Sequence, residues 1–313
     1  MDQTMAQRLR ARLRMPVMAG PMFIASTADL VIAQCCAGII GAMPALNPRS
    51  TAALDEDLAR IGESVGDRPW CVNLVAHASN TRLDADLSVV LRHKVPIVVL
   101  ALAANPDLVR TLQANGSLVF QDVVRDRHAR KCAEMGVDGI IAIGAGAGGH
   151  TGNLSPFALM QEIRAWWDGL LILSGCIATG RAVLAAEVLG ADLAYIGSPF
   201  LASEEANTQP DYRRMVIEGT AADVVVANCF TGVDATFLRP SIVAHGLDPD
   251  SLRSADQPTI NIDGGGHDVR AWRDIWSAGQ GIGAVRCAEP AAAFIERLAG
   301  DYMAARTAMG MSA

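Results

Sequence analysis

The sequence predicts an α/β protein folded as a closed parallel (β/α)8 barrel with a C-terminal insertion and closing helices. Three observations lead there. Eight short apolar runs recur at roughly 25-residue spacing, each followed by a helical stretch. Most of these runs are uniformly apolar rather than alternating, as strands buried on both faces of a parallel sheet must be. The chain has 313 residues, 51% hydrophobic and 19% charged, which suits one barrel with an insertion and opposes disorder. An open doubly wound sheet is the alternative arrangement of the same units.

Candidate strands lie at Pro16–Gly20, Gly38–Met43, Trp70–Val75, Ile97–Leu102, Leu118–Val123, Gly139–Gly144, Leu170–Ser174 and Leu193–Gly197. Helices are expected over Thr27–Ala37, Ser50–Ser64, Asn105–Ala114, Pro156–Trp167 and Arg181–Leu189. Thr, Ser and Asn at their starts are good caps, and Pro106 and Pro156 sit where a missing N–H costs nothing. Ser155 before Pro156 reads as another cap. After Phe200 the beat stops. Residues 203–270 read as an irregular insertion, and helical stretches at Val269–Ala278 and Glu289–Arg306 close the chain. With no linker visible, residues 1–313 read as a single domain.

Composition removes several function classes. A net charge of −7 gives nucleic acid no basic face to bind. Seven scattered cysteines without a C-x-x-C pair argue against disulfides and zinc, and fit a reducing cytoplasm. The basic start lacks an apolar export region, and the run Val95–Ala104 is too short to span a membrane. Neither lysine, Lys94 or Lys131, falls at the C-terminal end of a strand, which disfavours Schiff-base chemistry. No His/Asp cluster has ligand spacing, so no metal is expected, and His245 and His267 read as surface residues. Trp166 and Trp167 are expected to pack along one helix edge.

Chemistry concentrates at the predicted strand ends. Gly144-Ala-Gly-Ala-Gly-Gly149 matches G-x-G-x-x-G, but no helix opens on the glycines and the next strand ends in Ser174-Gly175 without an acid. The dinucleotide reading therefore fails. What remains is a glycine-rich loop that delivers His150 to the end of a barrel where active sites sit, with glycines that let backbone approach a flat ligand. The bland alternative is a histidine capping a flexible turn. Gly175–Gly180 and Gly197–Ser198 each join a strand to a helix start, the usual phosphate site after strands seven and eight. Ordinary tight turns would look the same. Met18–Phe23 and Asn73, at the ends of strands one and three, could pack a ring face and bond its polar edge.

Together these pieces resemble the nitronate monooxygenase family. PVMAGPMF, CVNLVAH, GVDGIIAIGAGAGGHTG, LILSGCIATGRAVLAAEVLGADLAYIGSPFLA and SAGQGIG carry the likeness, spread over residues 16–283. The resemblance implies an FMN-containing TIM barrel, with phosphate held at Gly175, Cys176, Ile177, Gly197 and Ser198. It implies a ring near Ala19, Gly20, Pro21, Met22, Asn73, Gly148 and Gly149, with Gln121 and Ser174 completing the cofactor set. His150 would be catalytic and touch substrate, and Gln280 would line the substrate pocket. Two departures stand out: Cys176 where members often have glycine, and Gln121-Asp122 where many carry a basic residue near the flavin. The implied reaction is oxidation of nitronates or nitroalkanes by O2 to a carbonyl compound and nitrite. A neutral His150 of ordinary pKa would take the α-proton or bond the nitro oxygens. Rival readings are an NAD(P)H-dependent flavin reductase acting on quinones or enoyl thioesters, and a non-flavin sugar-phosphate barrel. A homodimer is open to any of these.

Overall fold

The computed structural model of the protein describes residues 3–103, 105–252 and 270–311. Eight parallel strands follow in chain order: β1 Val17–Ala19, β2 Gly41–Pro44, β3 Trp70–Val75, β4 Ile97–Ala101, β5 Leu118–Val123, β6 Gly139–Ile143, β7 Leu170–Ser174 and β8 Leu193–Ile196. The order β1-β8-β7-β6-β5-β4-β3-β2 leaves β1 and β2 as the last pair to meet. They do meet: Ala19 N–H donates to the Ile40 carbonyl at 2.7 Å, and Ile40 N–H to Val17 at 3.1 Å. The barrel is thus closed, and the open-sheet alternative is excluded. The buried strands keep their continuous apolar character because neither face meets water.

Helix α1, Met5–Arg10, precedes the barrel. Helices α2 Ala28–Cys36, α3 Thr51–Val65, α4 Leu83–Arg92, α5 Pro106–Ala114, α6 Asp126–Glu134, α7 Pro156–Arg164 and α8 Gly180–Val188 follow β1 to β7 in turn. Thr27, Ser50 and Asn105 accept backbone N–H bonds from Leu30, Ala53 and Asp107 as their cap positions predict. Ser155 does not cap α7; Pro156 alone marks that start. Helix α7 ends at Arg164, so Trp166 and Trp167 lie just beyond it, edge to face at 5.9 Å, with Trp166 Nε1 donating to Asp126.

The segment after β8 differs from its expected irregularity. A 3-10 turn over Ser198–Ala202 is followed by α9 Pro210–Glu218, an antiparallel hairpin of β9 Val224–Ala227 with β10 Ala235–Leu238, and α10 Arg239–Ala244. Val269–Ala278 is not a helix over its described part. Residues 270–278 form a turn bridged between Ala271 and Ile275, and Leu238 N–H donates to Trp276. Ala271, Ile275 and Ala278 have helical spacing, but they are buried by crossing the hairpin instead. His267 and the glycine cluster of NIDGGGHD lie outside the described residues. The last helix, α11 Ala291–Ala308, packs between α8 and α2, in the eighth helix position of the barrel. The inserted segment therefore lies within the last βα unit.

Candidate active site at the barrel mouth

A cavity of about 370 Å³ opens at the C-terminal ends of the strands, a size suited to a cofactor or small ligand. Its walls bring together Gly20, Pro21, Met22, Asn73, Gly148, Gly149, His150, Ser174, Gly175, Cys176, Ile177, Gly197 and Ser198, as the sequence anticipates. Three expected residues are elsewhere. Ala19 is sealed in β1. Gln121 is buried but does not line the cavity, whose β5 wall is Asp122, because successive strand residues face opposite sides. Gln280 sits outside the lining with its Oε1 3.8 Å from Cys176 Sγ, near the Gly175–Ile177 turn.

His150 is held from two directions. Gly149–Thr151 pairs with β10: Thr236 N–H donates to Gly149 O at 2.9 Å, and Thr151 N–H to Asp234 O at 3.1 Å. From the other side Ser277 Oγ accepts the Gly149 N–H at 2.9 Å, while Thr236 Oγ1 donates to Ala147 O at 3.0 Å. A loop of small residues is made rigid by an inserted hairpin. The imidazole meets the Trp272 ring edge-on at 5.1 Å, and Trp272 in turn meets Phe23 at 6.1 Å. Burial in this aromatic corner pulls the His150 pKa down to about 4. The ring is therefore neutral at ordinary pH but a weaker base than the unperturbed histidine expected from sequence.

Several glycines of the loop have a packing reason of their own. The Gly279–Gln280 segment crosses them, with Gln280 N–H donating to Gly146 O at 2.9 Å. A Cβ on Gly279 would stand 2.7 Å from Gly146 O and 2.9 Å from Gly148 N. Ser198 ties the same crossing to β8 by accepting the Gly279 N–H at 2.7 Å.

The turn after β7 has the form of an anion cradle. Gly175 and Cys176 adopt φ of +122° and +59°, which reverses the chain before Thr179 caps α8. Among the described residues nothing accepts the N–H groups of Cys176, Ile177, Gly197 or Ser198. Such N–H groups beside a helix start suit a phosphate. In the same cavity, the Tyr195 hydroxyl on β8 and Asp122 Oδ1 are buried without a hydrogen-bond partner among the described residues. An anion cradle at one end and unpaired polar atoms elsewhere fit a phosphate-bearing ring system such as a flavin nucleotide. Among the described residues, no lysine or arginine lines the cavity.

Tyr195 and Trp272 were not singled out as site residues from sequence; Phe23 entered only as the end of the Met18–Phe23 stretch, and Asp122 only as a departure from the family pattern. Strand alternation at Phe120, Gln121 and Asp122 was the available signal for Asp122; Trp272, far along the chain, carried none. Among the described residues, no group of three His, Cys, Asp or Glu could hold a metal, and no helix is long and apolar enough to cross a membrane.

The family model described as nitronate monooxygenase matches residues 75–301. A Mycobacterium tuberculosis protein named as a monooxygenase is 35% identical over 167 residues, 53% of this chain and 44% of that protein. From the same organism, (3aS,4S,5R,7aS)-5-hydroxy-7a-methyl-1-oxo-octahydro-1H-indene-4-carboxyl-CoA dehydrogenase is 29% identical, over 73% of this chain and 64% of its own length. The matched parts thus span less than two thirds of these relatives. The solved structure of nitroalkane oxidase from Streptomyces ansochromogenes is similar in fold, with a TM-score of 0.81 at 22% identity, over 96% of this chain and 99% of that one.

Proposed function

Because the chain belongs to the nitronate monooxygenase family, we propose that it is an FMN-dependent oxidoreductase that converts alkyl nitronates and O2 to a carbonyl compound and nitrite. The observation that carries this reading is the neutral His150, fixed by β10 and Ser277 over a cavity that ends in free N–H groups. The Gly175–Ile177 turn with Gly197 and Ser198 would hold the phosphate, and Gly20–Met22, Asn73 and Gly148–Gly149 would surround the ring. Bound there, FMN would supply the two-electron acceptor and the reactivity toward O2.

The chain's own contribution is orientation and hydrogen bonding. A neutral imidazole can donate one N–H to a nitro oxygen, while Trp272 and Phe23 form an apolar wall beside it. With its pKa near 4 against 6.5 for an unperturbed histidine, His150 accepts a proton from carbon less readily by about 3 kcal/mol. A preformed nitronate is accordingly the better substrate than its parent nitroalkane. Oxygen uptake with nitrite release on a nitronate tests the reading. His150→Asn should abolish turnover of the neutral nitroalkane and largely spare the nitronate; equal loss on both would sink the proton-accepting role.

A second reading has its own support. Among the described residues, no lysine or arginine lines the cavity to balance an anionic substrate, and one relative is named as a carboxyl-CoA dehydrogenase. A neutral carbonyl substrate, a quinone or enoyl thioester reduced at the expense of NAD(P)H, needs no such countercharge. Rapid anaerobic bleaching of the flavin by NADH, without nitrite from nitronates, would select it.

A further inference from the structure

The proposed reaction leaves a buried carboxyl unused. Asp122, on β5, reaches into the cavity, and its Oδ1 is sealed without a hydrogen-bond partner among the described residues. Tyr195, on β8, lines the same cavity with its hydroxyl equally buried and unpaired. Burial first, and then charge on Asp122, push the Tyr195 hydroxyl up. Leaving either polar group unsatisfied costs about 1–3 kcal/mol, so both are expected to be answered by a ligand's polar edge.

We propose that Asp122, carrying its proton, and Tyr195 lining the same cavity donate hydrogen bonds to the acceptor edge of a bound heteroaromatic ring, so that protonation of this one carboxyl controls how tightly the ring is held. The inference rests on the FMN site proposed above. A carboxylate would face the ring's carbonyl oxygens with like polarity, whereas a carboxylic acid and a phenol present O–H groups to them. Among the described residues, no lysine or arginine lines the cavity to take over that part.

The surroundings leave Asp122 to titrate by itself near neutrality. Burial lifts it to about 7. Facing it are Cys71 of β3 and Tyr195 of β8, both pushed well up by burial and by Asp122 itself, and Cys132 of α6, pushed up to about 12. His128 of α6 also lines the cavity; burial, with Arg127, Arg125 and Lys131, pulls it down. His150 is down at about 4. Flanking strands β4 and β6 give the cavity only Ala101 and Ile143, which do not ionise.

The test is a binding titration of flavin-free full-length protein with FMN, and separately with riboflavin, which lacks the phosphate and its ionisation near pH 6. With an acid of pKa about 7 required in its protonated form, the wild-type Kd for riboflavin should rise about tenfold between pH 6 and pH 8, and that for FMN by the same factor once the phosphate effect is removed. Asp122→Asn keeps an N–H donor and cannot ionise; its Kd should be flat over that range once the phosphate effect on FMN is removed. Tyr195→Phe should weaken both probes at every pH and keep the slope. A wild-type Kd that is flat, or the same slope in Asp122→Asn, overturns the role of Asp122 and leaves the FMN site standing. Failure of wild type to bind FMN at any pH overturns both. Should Asp122→Asn not fold, carbon NMR of wild type decides: the Asp122 carboxyl should titrate near 7 and move upward when FMN binds, and an unmoved titration overturns the proposal.

Discussion

Replacing Gly279 by alanine isolates one structural claim, that the glycines beneath His150 are needed for chain crossing. Gly279 has φ of −85°, which alanine adopts freely, so backbone strain contributes nothing. The whole effect comes from a Cβ placed 2.7 Å from Gly146 O and 2.9 Å from Gly148 N, backbone atoms that belong to the loop carrying His150. Relief to ordinary contact requires a shift of roughly 0.7 Å or more between the two segments, and overpacking of this kind costs about 1–3 kcal/mol. For a chain of this size that lowers Tm by about 2–5 °C. The assays are thermal unfolding of the flavin-free protein and FMN affinity, both of which should fall. Gly62→Ala, in the last turn of α3 with nothing within 4 Å of the new Cβ, is the matched control and should gain about 0.5–1 kcal/mol. An unchanged Tm and FMN affinity in Gly279→Ala would refute the packing argument and leave the glycines to ligand approach alone.

Other expectations follow from the same geometry. Thr236→Val removes the buried bond to Ala147 O but keeps the backbone bond to Gly149, and should cost about 1 kcal/mol in urea unfolding; no loss would mean the hairpin does not brace the loop. Trp272→Ala opens the corner around His150, so the imidazole should titrate well above 4 by NMR; a value still near 4 would show that another group buries it. Asp122 has a folded pKa of about 7 against 3.8 unperturbed, so its penalty is absent below about pH 4, grows as pH rises to about 7, and is then constant. The ceiling is about 4 kcal/mol, reduced to about 1–2 because the carboxyl reaches the cavity. Flavin-free Asp122→Asn should therefore gain on wild type at pH 8 but not at pH 4, and a pH-independent difference would contradict this.

The barrel was readable because its signals are local. Continuous apolar runs such as Ile97–Ala101 and Leu170–Ser174 can be strands only if both faces are buried, and Thr27, Ser50 and Asn105 announce helix starts by their own side-chain bonds. His150 was readable for a similar reason, since a loop after the sixth strand must open at the barrel mouth. What escaped is non-local. That α11 occupies the eighth helix position depends on packing against α8 and α2, which chain order hides behind the inserted segment. The hairpin that clamps His150 pairs with Gly149–Thr151 through backbone atoms, and those leave little mark on side-chain pattern. Gln121 and Asp122 show the finest limit: one residue of strand parity separates a side chain outside the cavity from one within it. The glycines of 144–149 were read for a ligand, while the structure gives Gly146 and Gly148 a neighbouring chain segment to accommodate.

The central claim is that the cavity under His150 is a site for FMN, with its phosphate at the turns after β7 and β8. Its most direct test is to purify the protein, record its visible spectrum, denature it, and identify and count the released chromophore. The account predicts a flavin spectrum and one FMN per chain. A colourless protein that takes up no FMN, or one that releases FAD in its place, would contradict it.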